Sequence, residues 1–116
     1  MTPARAQSLL WIAQRASAAV LALAVAVHLA TMIAAVRGGL TAAEILGRTR
    51  GSPAWAAFYI VFVVAVAVHA PIGLRTVLAE WRGAPNRGID AAMLAFAALL
   101  LVIGVRAVVA VTWSAT

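Results

Sequence analysis

The segment AWAAFYIVFVVAVAVHAPIGL, Ala54–Leu74, holds 21 residues without a formal charge. At about 1.5 Å per helical residue it spans about 31 Å, which matches a hydrocarbon core of about 30 Å. Outward from it, Ala16–Val36 is a second uncharged run of 21 residues, and Ala91–Trp113 is a third of 23, broken only by Arg106. Open sheet edges do not survive in lipid, so each run reads as a transmembrane helix. The rest of the composition agrees: 66% of the 116 residues are hydrophobic and 10% charged, against roughly 45–50% apolar residues in a soluble domain. A globule this small cannot hide so much apolar surface from water, and a disordered chain has the opposite composition. The sequence predicts an all-α membrane protein with three transmembrane helices, running up-down-up approximately over 8–36, 53–82 and 89–113, in one domain over 1–116.

The connections are short. Gly38 and Gly39 stop the first helix, and Thr41 followed by Glu44 forms a capping-box pattern that predicts a short interfacial helix over 41–47. The second helix runs on past Arg75 and breaks at Gly83–Gly88, which includes Ala84, Pro85 and Asn86. The first apolar run is longer than the roughly 7–15 residues of a signal-peptide core and carries His28 in its middle, so it reads as a retained span. With no cysteine, the chain can hold no disulfide, thiolate metal site, iron–sulfur cluster or cysteine nucleophile.

Nine arginines, without a lysine, against three acids give a net charge of +6. No nucleic-acid partner is expected, because the arginines sit at the ends of apolar runs, where orientation and anionic membrane lipid account for them. Arg5, Arg15, Arg75, Arg82 and Arg87 gather on the N-terminal side, and Arg37, Arg48 and Arg50 in the first loop. That asymmetry puts the N-terminus in the cytoplasm. Arg106, roughly 24 Å along the third helix from Asp90, is read as snorkelling to the outer interface. Trp11, Trp55, Tyr59, Trp81 and Trp113 fall near the expected interfaces, as an aromatic belt would.

Ionisable groups inside lipid are costly and tend to be functional. His69 lies late in the second helix, two residues before Pro71 and one turn before Gly73. A neutral imidazole there suits haem iron once its other nitrogen is hydrogen-bonded, and equally suits a hydrogen bond across a helix interface. Pro71 predicts a kink close to the histidine, and Gly73 leaves room on the same face for a flat ligand or another helix. His28 has the same two readings, with Thr31 as one candidate hydrogen-bond partner. If Arg15 and Arg75 mark one membrane face, His28 lies deeper than His69 by about 10 Å. One haem gripped by both histidines of one chain is then disfavoured, and each is expected to pair with a histidine of another chain. Arg15 and Ser17 form a cluster at the start of the first helix, suited to haem propionates or a quinone carbonyl, or to a positive-inside anchor with a capping serine.

The run HAPIGLRTVLAEW, His69–Trp81, resembles the second-helix signature of the cytochrome b membrane-anchor subunits of succinate dehydrogenase and fumarate reductase. That signature is a haem-ligating His, Gly four residues on, often Arg two further, and an acid plus an aromatic closing the helix. The run QRAS, Gln14–Ser17, resembles the family's first-helix motif, usually His-Arg-x-Ser/Thr-Gly, with Gln14 in place of the His and Ala18 in place of the Gly. With three spans, the resemblance covers essentially the whole chain.

The resemblance implies half of a haem-binding helical bundle. His69 would be an axial ligand of haem b, and His28 the ligand of a second haem, or one haem on His69 alone would serve a pair of chains. Arg15, Ser17 and Arg75 would lie by the propionates and the quinone. Glu80 and Trp81 would take the places of an Asp and a quinone-bonding Tyr, and Trp11 that of a quinone-site Ser. The substrate of the site would be ubiquinone or menaquinone, and the partners a flavoprotein subunit, an iron–sulfur subunit and a second anchor chain, identical or paralogous. The setting implied is a bacterial inner (cytoplasmic) membrane, and the role electron transfer between the iron–sulfur subunit and quinone. Succinate chemistry itself would occur on another subunit. Two rival readings of the polar residues are a small transporter or channel subunit and a haem-free membrane anchor.

Overall fold

The computed structural model describes residues 2–83 and 86–113. They form four helices in chain order: α1 (Pro3–Arg37), α2 (Ala42–Thr49), α3 (Pro53–Arg82) and α4 (Arg87–Thr112). No strand occurs among the described residues. Three of the helices, α1, α3 and α4, are long and apolar enough to cross a membrane.

Local chemistry sets the ends. The first helix starts at Pro3, earlier than its apolar run, because Thr2 caps Arg5 N–H and Pro3 occupies the first turn, where its missing donor costs nothing. It stops at Gly38, and Gly39 takes the left-handed conformation with φ 67°. The capping box of α2 is complete: the Thr41 hydroxyl accepts from Glu44 N–H, and the Glu44 carboxylate accepts from Thr41 N–H at 2.7 Å. Ser52 caps α3, Gly83 closes it in the left-handed conformation, and Asn86 caps α4. Ala84 and Pro85, part of the expected break, lie outside the described residues. The third helix is continuous through Pro71.

Of the long helices, α3 is the central one and packs against both α1 and α4. Gln14 lies against Gly73, Ser17 against His69 and His28 against Tyr59, so α1 and α3 run antiparallel. The pairs Arg75–Asp90 and Val63–Gly104 give α3 and α4 the same relation. Gly104 sits directly on the Val63 side chain, so the helices approach as closely as small-residue contacts allow in membrane bundles. The short α2 is fastened to the far end of α4: Thr49 Oγ1 donates to Val111 O at 2.7 Å, and Gly51 N–H donates to Thr112 O at 2.9 Å. Both acceptors are carbonyls of a helix C-terminus, which the helix itself cannot satisfy.

The interior is thin. Among the described residues the buried apolar side chains are Ala24, Ala65, Ala67, Pro71, Ile89 and Val108, while Leu23, Leu94, Val36 and many others stand exposed. Water cannot be the solvent of that surface, since monomers in water rarely expose apolar patches of more than a few hundred Å². Lipid or further chains must cover it.

Candidate functional site

His69 sits half-buried on α3, facing α1. Its Nδ1 lies 3.4 Å from Ser17 Oγ, which is itself 7% exposed. The Ser17 hydroxyl donates to the carbonyl of Gln14 at 3.0 Å, one turn back on its own helix. A hydroxyl has a single proton; with it on the carbonyl, the oxygen turns a lone pair toward His69, the arrangement that suits an imidazole protonated on Nδ1. One turn further along α3, a Cβ on Gly73 would meet Gln14 Nε2 at 3.1 Å, and Gln14 Oε1 is buried without a hydrogen-bond partner among the described residues. The space above Gly73 is thus filled only by the far end of a flexible amide.

His28, also half-buried, has an aromatic setting. Its Nδ1 is 3.4 Å from the Tyr59 hydroxyl, and its ring meets Tyr59 and Phe62 edge-on, each at 5.9 Å between centroids. The Thr31 hydroxyl bonds the backbone carbonyl of His28, not the ring. The imidazole borders an apolar cleft of about 360 Å³ whose walls include Thr49, Phe62, Val63, Gly104 and Val108. It also borders the outer groove of α1 with Val25, Leu29 and Met32. Ser17 and His28 are 11 residues apart on α1, and Tyr59 and His69 ten apart on α3. The two imidazoles are therefore about 15–16 Å apart along the bundle. This exceeds the sequence-based offset of about 10 Å, which took Arg15 and Arg75 as level. Because Gln14 faces Gly73, Arg75 lies roughly one turn further out.

Arg15 and Ser17 part company. Two residues on a helix are about 200° apart: Ser17 is buried against His69, while Arg15 is exposed and stacks on Trp11, with Cζ 5.1 Å from the ring centroid. Arg75 Nε donates to Asp90 Oδ1 at 2.7 Å, tying α3 to α4. Glu80 and Trp81 stand exposed at the end of α3, Trp81 at 83%. Arg75, Asp90 and Pro71 border a second cleft of about 480 Å³ between α1, α3 and α4, together with Leu10 and Met93. Arg106 is exposed two residues from Gly104, so it points away from α3.

The model of a family described as the succinate dehydrogenase/fumarate reductase transmembrane subunit matches residues 1–105. The chain belongs to that family. It is therefore a transmembrane anchor subunit, and its exposed apolar faces belong in lipid or against other subunits. No curated protein and no solved structure gave a match. Within this family setting, a haem-type axial ligand needs a neutral imidazole with one nitrogen free and the other held. His69, with Nδ1 facing the Ser17 hydroxyl and Gly73 one turn on, is placed to meet those requirements, so the residues present fit the group. No group of three or more His, Cys, Asp or Glu side chains that could hold a metal ion occurs among the described residues. Tyr59 was grouped by sequence with the interfacial aromatics, yet it is the partner of His28. Gln14, noticed only as a replacement, proves to be the residue over Gly73.

Proposed function

We propose that this anchor subunit carries haem b and passes electrons between the iron–sulfur subunit and a membrane quinone, ubiquinone or menaquinone. The observation that carries the reading is the His69 imidazole, whose Nδ1 faces the Ser17 hydroxyl and whose Nε2 would meet the iron. His69 would be an axial ligand at one level and His28 at the other. The haem, when bound, supplies an iron that gains and loses one electron at a time. Every other part of the function falls to side chains of this chain. Ser17 and Tyr59 orient the two imidazoles, and the apolar helix faces keep water from them. The exposed guanidinium of Arg15 and that of Arg75, engaged through Nε with Asp90, offer charged donors for propionates or a quinone carbonyl. Trp11, Glu80 and Trp81 form the polar and aromatic rim of the same end; an indole there donates one hydrogen bond and accepts none.

The axial separation of about 15–16 Å means that one iron cannot take both imidazoles of one chain. The second axial ligand at each level would come from a second anchor chain, identical or paralogous. Two haems per pair of chains is the reading that uses both histidines, with the three helices running up-down-up as half of the bundle. The complex would include a flavoprotein subunit and an iron–sulfur subunit docked on the arginine-rich side, in a bacterial inner membrane with the N-terminus in the cytoplasm.

The test is a reduced-minus-oxidised spectrum with a pyridine-haemochrome count on the gently solubilised complex, native and with His69→Ala or His28→Ala. A b-type band that loses one component in each variant is the expected result. A band unchanged in His69→Ala refutes the assignment of His69. A full haem count in His28→Ala leaves one haem on His69, and no band at all means a haem-free anchor.

A further inference from the structure

We infer that Ser17 is the positioning residue of His69: it accepts the ring's Nδ1–H and thereby fixes the tautomer, the ring orientation and the basicity of Nε2. The inference rests on His69 being a haem ligand. It gives Ser17 a role distinct from a propionate or quinone contact.

Three observations carry it. Ser17 is 7% exposed and lies on the α3-facing side of α1, turned away from Arg15 and the rim. Its proton is committed to the Gln14 carbonyl at 3.0 Å, and that acceptor belongs to the same rigid helix, so the oxygen's lone pair is aimed by backbone geometry. The His69 ring nitrogen then lies 3.4 Å away, with no water in the hydrocarbon layer to replace the hydroxyl. His28 supplies the contrast. Tyr59's hydroxyl has no second partner among the described residues and is free to donate or to accept, so it does not dictate a tautomer. The two histidines therefore have different partners, and only the hydroxyl facing His69 has a backbone acceptor for its own proton among the described residues.

A hydrogen bond from the outer nitrogen raises the basicity of the ligating one, and losing such a partner commonly costs 10–100-fold in metal affinity. A more basic ligand favours the ferric over the ferrous ion. If Ser17→Ala removes a tenfold preference of that kind, the midpoint potential rises by about 59 mV, the one-electron equivalent of a factor of ten.

The experiment is a potentiometric titration with low-temperature paramagnetic resonance on the whole complex, native and with His69→Ala, Ser17→Ala, Ser17→Thr and Tyr59→Phe. The spectral component lost in His69→Ala marks the haem in question. The expected result is an upward shift of that component, with altered g values, in Ser17→Ala. Thr keeps a hydroxyl that can also bond the carbonyl one turn back, so Ser17→Thr returns the native values. Tyr59→Phe leaves that component where it was. Loss of that haem in Ser17→Ala with retention in Ser17→Thr also supports the inference. A component present in the native complex, absent in His69→Ala and unmoved in Ser17→Ala overturns it while the haem reading stands. So does a shift that Ser17→Thr fails to reverse. An unchanged spectrum in His69→Ala overturns both.

Discussion

The contact between Gly104 and Val63 sets how closely α3 and α4 approach, and its cost of disruption can be worked out. A Cβ built on Gly104 would collide with Val63 Cγ1, lie 2.9 Å from Cγ2 and 3.2 Å from Cβ. Valine in a helix has one strongly preferred rotamer, and its Cβ is fixed to the backbone, so rotation cannot relieve the contact. The helices themselves must part. Overpacking of this kind costs about 1–3 kcal/mol, while replacing glycine by alanine inside a helix returns about 1 kcal/mol. Gly104→Ala is therefore expected to lose up to about 2 kcal/mol net. Val63→Ala removes two methyl groups and, between helices in lipid, loses their van der Waals contacts with α4. In the double variant the new methyl enters the space that the valine vacated. The collision with the two methyls is removed and only the 3.2 Å approach to the remaining Cβ persists, the helix gain remains, and the two changes couple by about 1–3 kcal/mol in the stabilising direction. Denaturant unfolding in mixed micelles, followed by circular dichroism, measures all four corners of the cycle. Additivity within about 0.5 kcal/mol across the cycle would refute the packing argument.

Thr49→Val should loosen the junction between α2 and α4. It keeps the shape but deletes the 2.7 Å bond to Val111 O, leaving a C-terminal carbonyl unpaired at a cost of about 1–3 kcal/mol; faster amide exchange at Gly51, whose N–H bonds the adjacent Thr112 carbonyl, reports it. Glu44 is held below the ordinary carboxylate range, first by the backbone N–H of Thr41 and then by its hydroxyl, both of which favour the charged form. Its folded pKa is depressed, so its support of α2 is complete above the ordinary carboxylate pKa and lost as pH falls through the lowered value. Intrinsic-rate-corrected amide protection at Ile45 should follow that curve in the native chain and be flat in Glu44→Gln.

Much of the fold is legible because lipid simplifies the code. Runs of 21 apolar residues, a glycine pair after Val36 and Arg37, and Thr41 with Glu44 each act locally, and the helices and the capping box lie where those signals are. The start of α1 was equally local, in Thr2 and Pro3, but the apolar run beginning at Ala16 drew the boundary inward. What local signals cannot carry is the register of one helix against the next. Arg15 and Arg75 looked level because both end apolar runs, whereas register is set where backbones touch, at Gln14 over Gly73 and Val63 over Gly104. A glycine in a uniformly apolar helix has no periodic pattern to name its partner. Tyr59 and His28 are paired by that same register, so no reading of either helix alone would join them.

Ser17 is a different case, because its place could have been read. Grouping it with Arg15 used distance along the chain, but two residues turn a helix by about 200°. Near a helix end a guanidinium reaches water or headgroups by snorkelling, and Arg15 does so from the exposed face beside Trp11. The serine is then forced inward, onto the helix that carries His69. The same rotation separates Arg106 from Gly104: the glycine must face Val63 for α3 and α4 to close, so the arginine two residues on must face away. A charge within an apolar helix thus fixes that helix's rotation even where it takes no part in the chemistry. In this chain the polar exceptions orient the spans, and the glycines and the serine define what the spans enclose.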